Sequence, residues 1–267
     1  MTNMAYDKGH KYKLGVALSG GGARGLAHAG ALKAIEEAGL RPDIIAGVSA
    51  GSIIAVMYSA GISPDSILEL FTYGRFSDFA EFSISKGGLL KMDRFIRVIT
   101  KSLGAYNRLE DLPIPTFIGA TDFYNGVAVE FHEGDISPII KASCSIPVVF
   151  PPVSIGGTAY VDGGVLRNLP AWAIRDKCER LIGINVSPLG RVKTDPSIFE
   201  IAMRSYSLLA KANQKQDMDV CDLVVQTREL THRKVFDLKE INKVFTSGYV
   251  NMRKTLRDAG WWQPETK

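Results

Sequence analysis

Two short apolar runs near the start of the chain, residues 13–18 and 43–48, each lead straight into a glycine-bearing turn and then a helical pattern. After the first, Leu26, Ala29, Leu32 and Ile35 recur at helical spacing, with Lys33, Glu36 and Glu37 on the wet side. Gly39 follows where a helix end favours a left-handed residue. After the second run, residues 50–60 form a small, apolar helical stretch. Strands that alternate with helices run parallel, because each crossover returns the chain to the same end of the sheet, and the helices then cover both faces. An α/β fold with a mostly parallel central sheet is the expectation.

Further strands are predicted at 116–121 and 127–131, joined through Asn125-Gly126, and at 153–155 and 158–161 around Gly156-Gly157. Two more, at 181–186 and 223–227, flank a long helix over roughly 197–218, and a last helix covers about 240–259. Residues 62–112 break the alternation. Ser63-Pro64 is a helix start, residues 93–103 form a second amphipathic helix, and Phe76, Phe79 and Phe82 lie between them at a spacing of three. This stretch reads as a helical insertion over the sheet, its Phe76, Phe79, Phe82, Leu89, Leu90 and Phe95 either gluing it down or lining an apolar groove. The whole then reads as one domain, 12–259, between a tail at 1–11 and another at 260–267.

Of the 267 residues, 46% are apolar and 22% charged, enough buried surface to exclude a disordered chain. No apolar run approaches the ~18 residues of a membrane span, and the first residues show no secretory signal. The expectation is a soluble, cytoplasmic protein. Three cysteines, Cys144, Cys178 and Cys221, form neither a disulfide framework nor a zinc site with neighbouring histidines. No metal or organic cofactor is expected. The net charge of +4 is too small to argue for nucleic acid, but residues 228–258 carry eight Lys/Arg against four acids, the whole surplus. That segment is either a solvated helix face or a peripheral contact for an anionic membrane surface.

The most specific motif is Gly47-Val48-Ser49-Ala50-Gly51, a G-x-S-x-G between strand and helix. A serine at such a sharp turn has its hydroxyl pushed into the open, and glycines two residues either side relieve the crowding. The helix behind it favours negative charge beside the serine. Ser19-Gly20-Gly21-Gly22-Ala23-Arg24-Gly25 ends the first strand and opens the first helix, so its amides can converge on an anion. It satisfies G-x-G-x-x-G, the dinucleotide fingerprint. Asp43, however, precedes the second strand, whereas a ribose-binding acid emerges after it. At that carboxyl end stands Ser49. A glycine loop facing a nucleophilic serine is better read as an oxyanion hole.

Asp162-Gly163-Gly164 ends the second hairpin and, alone, is an ordinary turn. The histidines change its weight. His10 lies in the tail, His28 belongs to the first helix, and His132 and His232 have no Ser or Asp pattern around them. With no histidine placed as a base, a carboxylate is the natural partner for Ser49. An aspartate with an ordinary pKa of ~3.9 must be desolvated for that work.

GGGARG, then GVSAG, then DGG, in this order and without a triad histidine, resembles the patatin-like phospholipases, a family of lipid acyl hydrolases. The likeness covers roughly residues 14–169 and includes SCSIPVVFPP at 143–152. It implies a three-layer α/β/α sandwich and an esterase or phospholipase acting through a Ser-Asp dyad. Ser49 would be nucleophile and Asp162 its base, with Gly47 and Gly51 shaping the nucleophile turn and Gly163 and Gly164 the base loop. Gly20, Gly21 and Gly22 would form the oxyanion hole, supported by Arg24. Ser19 departs from the pattern, since many members carry an acid there. A nucleotide-binding protein using the 20–25 loop and a non-catalytic adaptor of the same fold remain the alternatives.

Overall fold

The computed structural model of the protein describes residues 11–73, 81–85, 88–191, 197–233 and 240–262. The first apolar run forms β1 (Tyr12–Leu18) and leads through the glycine loop into α1 (Leu26–Glu37); the second forms β2 (Ile44–Val48), followed by α2 (Ala50–Ser59). The stretch read as a helical insertion has helices at both ends, α3 (Pro64–Tyr73) and α4 (Asp93–Ser102). Between them it carries an antiparallel hairpin, β3 (Glu81–Ser85) with β4 (Gly88–Lys91), so the purely helical reading is corrected here. The alternation of apolar and polar residues in EFSIS has a period of two, which a helix cannot use. Phe76 and Phe79 lie outside the described residues, as do the side chains of Phe82, Leu89 and Leu90. Phe95 packs edge-on against Phe71 at 6.5 Å.

The chain continues through β5 (Thr116–Asp122), β6 (Val127–Phe131), α5 (Ile136–Ser143), β7 (Val153–Ile155), β8 (Thr158–Asp162), β9 (Cys178–Asn185), α6 (Ile198–Met218), β10 (Leu223–Gln226) and α7 (Ile241–Asp258). Among the described residues eight strands form one sheet, in the order β10-β9-β1-β2-β5-β8-β7 with β6 also on β5. The pairs from β10 to β5 along this path are parallel, and those of β6, β7 and β8 antiparallel. Gly156 and Gly157, both at positive φ, form the two-residue turn between β7 and β8.

Side chains alternate across the sheet, and two cores result. Val16, Leu18 and Ile45 face a cluster with α1, α2 and α7, whereas Ala17, Ile44 and Ala46 face Leu169, Ala171, Ala173 and Ile174, with Met218 of α6 packed against them. Helical layers therefore cover both faces of a central sheet, the three-layer arrangement. On the first face α7 meets α1 almost backbone to backbone: a β-carbon on Gly30 would stand 1.9 Å from Phe245 O.

The path of β5 positions the site. It pairs with β2 up to Val48↔Gly119 and with β8 from Ala120↔Asp162 onward, while β6 occupies residues 118–122 of its other edge. A strand has two edges, so β2 and β8 share one and run toward each other along it. Their ends, Val48 and Asp162, oppose consecutive residues.

Candidate active site

Ser49 follows β2 and caps α2 with φ 53° and ψ −124°, a conformation that strains any residue with a β-carbon. The surrounding glycines make it attainable. A β-carbon on Gly47 would lie 2.5 Å from Gly51 O, and one on Gly51 2.3 Å from Leu18 O, so the turn closes against the end of β1. The Ser49 amide donates to Ser143 Oγ at 2.8 Å, and that hydroxyl donates to Gly119 O at 2.7 Å, tying the turn to β5. Ser52 returns both its amide (2.9 Å) and its hydroxyl (2.6 Å) to Ser49 O.

Asp162 is fully buried at the end of β8. Its amide donates to Ser145 O at 2.9 Å and its carbonyl accepts from Thr121 Oγ1 at 3.1 Å. On the carboxyl, Oδ1 accepts from the Gly164 amide at 2.8 Å and from Tyr206 Oη at 3.0 Å. Oδ2 is buried without a hydrogen-bond partner. Burial pushes the carboxyl pKa up to about 6, against the downward pull of the Gly164 amide, the Ser49 hydroxyl and the Tyr206 hydroxyl. Ser49 therefore lies within reach of this carboxyl. A serine hydroxyl facing a desolvated carboxylate has a proton acceptor whose pKa approaches neutrality.

The glycine loop faces the same place. A β-carbon on Gly20 would stand 3.2 Å from Ser49 Cβ and 2.5 Å from Asn168 Oδ1, and one on Gly25 2.7 Å from Ala50 Cβ. The Gly20 amide, expected among the oxyanion donors, instead donates to Asn168 O at 3.1 Å and ties the loop to the segment after Asp162. Gly20 O accepts from Ser19 Oγ at 3.0 Å and Ser187 Oγ at 2.6 Å; Gly21 O accepts from Arg24 Nε at 3.2 Å. Because a trans peptide is planar, holding those two carbonyls turns the Gly21 and Gly22 amides the opposite way. Among the described residues neither amide has an acceptor. Gly22 sits at φ 58°, open to glycine. Burial lowers the Arg24 pKa to about 10, so it remains a cation at neutral pH. Ser19 Oγ also accepts from the Val186 amide at 3.0 Å and so joins the loop to the end of β9.

The remaining candidates stand apart. Asp43 lies at the opposite end of the sheet, where its Oδ2 accepts the amides of Lys13 (3.1 Å) and Leu14 (2.9 Å). His28 is buried behind the loop with Nε2 2.8 Å from Ser19 O, and burial pulls its pKa down to about 4, so it is neutral. His132 stacks on Phe117 at 5.3 Å. His10 and the side chain of His232 are outside the described residues. Much of the basic C-terminal segment is engaged: Arg253 and Arg257 sit over the Trp262 ring, and Arg233 pairs with Glu240. No group of three or more His, Cys, Asp or Glu among the described residues could hold a metal ion, and no described helix is long and apolar enough to cross a membrane.

Sequence reasoning missed Ser143, Asn168 and Tyr206. Ser143 belongs to α5, an eight-residue helix not anticipated, and Tyr206 lies on α6, whose helical pattern was legible while the partner of its phenol was not. Gly164 held the one available signal. A β-carbon there would stand 2.3 Å from Tyr206 Oη, so the second glycine of the DGG motif admits the phenol.

The family model described as "Patatin-like phospholipase" matches residues 16–174. An uncharacterized NTE family protein of Mycobacterium tuberculosis is 35% identical over 272 residues, which cover 91% of this chain and 46% of that protein. Lysophospholipase NTE1 of Debaryomyces hansenii is 32% identical over 182 residues, covering 63% of this chain and 11% of that protein. The chain thus spans less than half the length of the curated relatives it matches. Among solved structures, the crystal structure of VipD from Legionella pneumophila is similar in fold at a TM-score of 0.60 and 15% identity, covering 93% of this chain and 67% of that one.

Proposed function

This chain belongs to the patatin-like phospholipase family, and from that premise we propose that it is a serine hydrolase cleaving carboxylic esters of lipids. Ser49 is the nucleophile and Asp162 the base. As Ser49 Oγ attacks the ester carbonyl, its proton passes to Asp162 Oδ2, the oxygen left without a partner. The Gly21 and Gly22 amides, aimed by Arg24 and Ser187 through the neighbouring carbonyls, meet the oxyanion; a good donor of this kind is worth about 3 kcal/mol. Collapse of the tetrahedral adduct breaks the ester C–O bond, and the leaving alkoxide takes the proton from Asp162. A water then gives its proton to Asp162, attacks the acyl-serine and releases the fatty acid, and Ser49 recovers its hydrogen.

One observation carries the reading: β2 and β8 meet end to end along β5, bringing a serine on a strained turn to a buried carboxyl. A carboxylate base suits esters, whose alkoxide leaves without the full protonation that an amine requires. The lysophospholipase named among the relatives favours lysophospholipids or phospholipids as the ester class. Ser49→Ala is the test. Turnover of short p-nitrophenyl esters and release of fatty acid from a phospholipid panel are expected to fall by about 10³-fold or more, with loss of fluorophosphonate labelling. Unchanged turnover by pure, folded mutant would overturn the reading.

A further inference from the structure

The carboxyl of Asp162 has two oxygens in contrasting circumstances. Oδ1 accepts two donors, the Gly164 amide at 2.8 Å and Tyr206 Oη at 3.0 Å, while Oδ2 accepts none. We propose that Tyr206 is a positioning residue for the base: with the Gly164 amide it pins Oδ1, so that Oδ2 stays directed at the Ser49 hydroxyl. This deepens, and rests on, the assignment of Ser49 and Asp162 above.

Tyr206 comes from α6, beyond the residues the family model matches. The same face of that helix is fastened to the base loop. Asn213 Nδ2 donates to Gly164 O at 3.0 Å and Val165 O at 3.2 Å, and Asn213 Oδ1 accepts the Asn168 amide at 2.9 Å. One helical turn further, Asp217 accepts Arg167 Nε at 2.9 Å and Nη2 at 2.6 Å. Positions 206, 213 and 217 share one side of a helix, so these anchors fix the phenol in depth and rotation. The missing β-carbon at Gly164 leaves the space it occupies.

The phenol is suited to donate throughout the working range. Burial and the neighbouring Asp162 charge hold its pKa well above that of a free tyrosine. Donation to the ionised carboxyl favours the charged form and offsets part of the desolvation that burial imposes on Asp162. The other groups that bear on this pair are the Ser49 hydroxyl, the Cys144 thiol, kept neutral by burial and by the Asp162 charge, and Arg24, which acts on the phenol from the glycine loop. Among the described residues Oδ1 accepts from the Gly164 amide and Tyr206 Oη.

The test is Tyr206→Phe, which keeps the ring and removes the donor. The Asp162 carboxyl is titrated by carbon-13 NMR in the Ser49→Ala background, with and without Tyr206→Phe, and kcat/KM is followed against pH in the active protein. Loss of the donor is expected to move the Asp162 titration and the acid limb of the profile upward by about one pH unit. Turnover below the limb then falls roughly tenfold, with a much smaller change well above it. As a control, Asn213→Ala loosens α6 from the base loop without removing a donor to Asp162. It is expected to lower the melting temperature and to move the titration by much less than Tyr206→Phe does, since the Asp217–Arg167 anchor still holds the helix. Superimposable titrations for Tyr206 and Tyr206→Phe overturn the proposal, as does an equal shift in Asn213→Ala. The NMR readout needs no turnover, so retained activity in Ser49→Ala would count against the proposed function and leave this measurement to be judged separately.

Discussion

The two halves of the candidate site are built in contrasting ways. At Ser49 the chain shapes itself: Gly47 and Gly51 approach within van der Waals contact across the turn, Ser52 bonds back to Ser49 O, and the strained φ follows from a strand running directly into a helix. Two remote pieces complete it, Ser143 Oγ on the Ser49 amide and the end of β1 against which Gly51 packs. At Asp162 only the Gly164 amide is local. The rest arrives from Tyr206 of α6, Ser49 of the β2–α2 turn and Cys144 after α5. A nucleophile can be presented by backbone geometry over five residues. A carboxylate that must be dry, oriented and still ionisable needs the tertiary structure to remove water and supply donors.

The largest effect that sharpens this contrast is expected for Asp162→Asn. An amide cannot take the serine proton, so kcat/KM is expected to fall by about 10³-fold or more. Stability should move the other way. The native pKa of about 6 lies above the ordinary 3.8, so the folded protein binds more protons than the unfolded chain between those values. The slope of stability against pH is negative there: the contribution of Asp162 is lost as pH rises through about 6. At pH 7 the buried charge costs on the order of 2–3 kcal/mol, and Asp162→Asn should recover part of it, read as a higher denaturant midpoint. In the wild type the same pKa predicts kcat/KM falling tenfold per pH unit below about 6. A mutant that is both inactive and less stable at pH 7 would break the claim that the base is held at the expense of stability.

Gly51→Ala probes the other half. Its β-carbon would enter within 2.3 Å of Leu18 O and 2.7 Å of Ser19 O, both backbone atoms that cannot swing aside. Overpacking of this kind costs about 1–3 kcal/mol, and an ångström of displacement at the nucleophile about 10²-fold in turnover. Chemical denaturation and ester kinetics read both. Ser143→Ala should have the smallest effect: it strips the acceptor from the buried Ser49 amide, costing about 1–3 kcal/mol, with turnover reduced roughly tenfold and the acid limb unmoved. A shift of that limb in Ser143→Ala would mean that the two halves are not separately built.

Much of the framework was legible because it is written in local patterns. The alternation around β1, α1, β2 and α2, the Gly156-Gly157 turn and the long helix over 197–218 follow from periodicity and glycine placement, which need no partner. The β3–β4 hairpin was missed because three phenylalanines spaced by three suggested a helix, and α5 because it is short. The Gly20 amide was read as an oxyanion donor since all three glycines of the loop look equivalent in sequence; its bond to Asn168 O depends on a residue 148 positions away.

What the amino-acid order determined on its own is therefore the strand-turn-helix pattern around Ser49 and the glycine loop after β1, since both are written in glycine placement and periodicity within a few residues. The tertiary structure alone decided that β8 would meet β2 along β5, so that Asp162 stands beside the turn after Val48, and that a phenol from α6 would rest on one carboxylate oxygen. Strand pairing and desolvation are properties of groups far apart in the chain. No window of sequence contains both partners, and the pKa of Asp162 exists only once they have met.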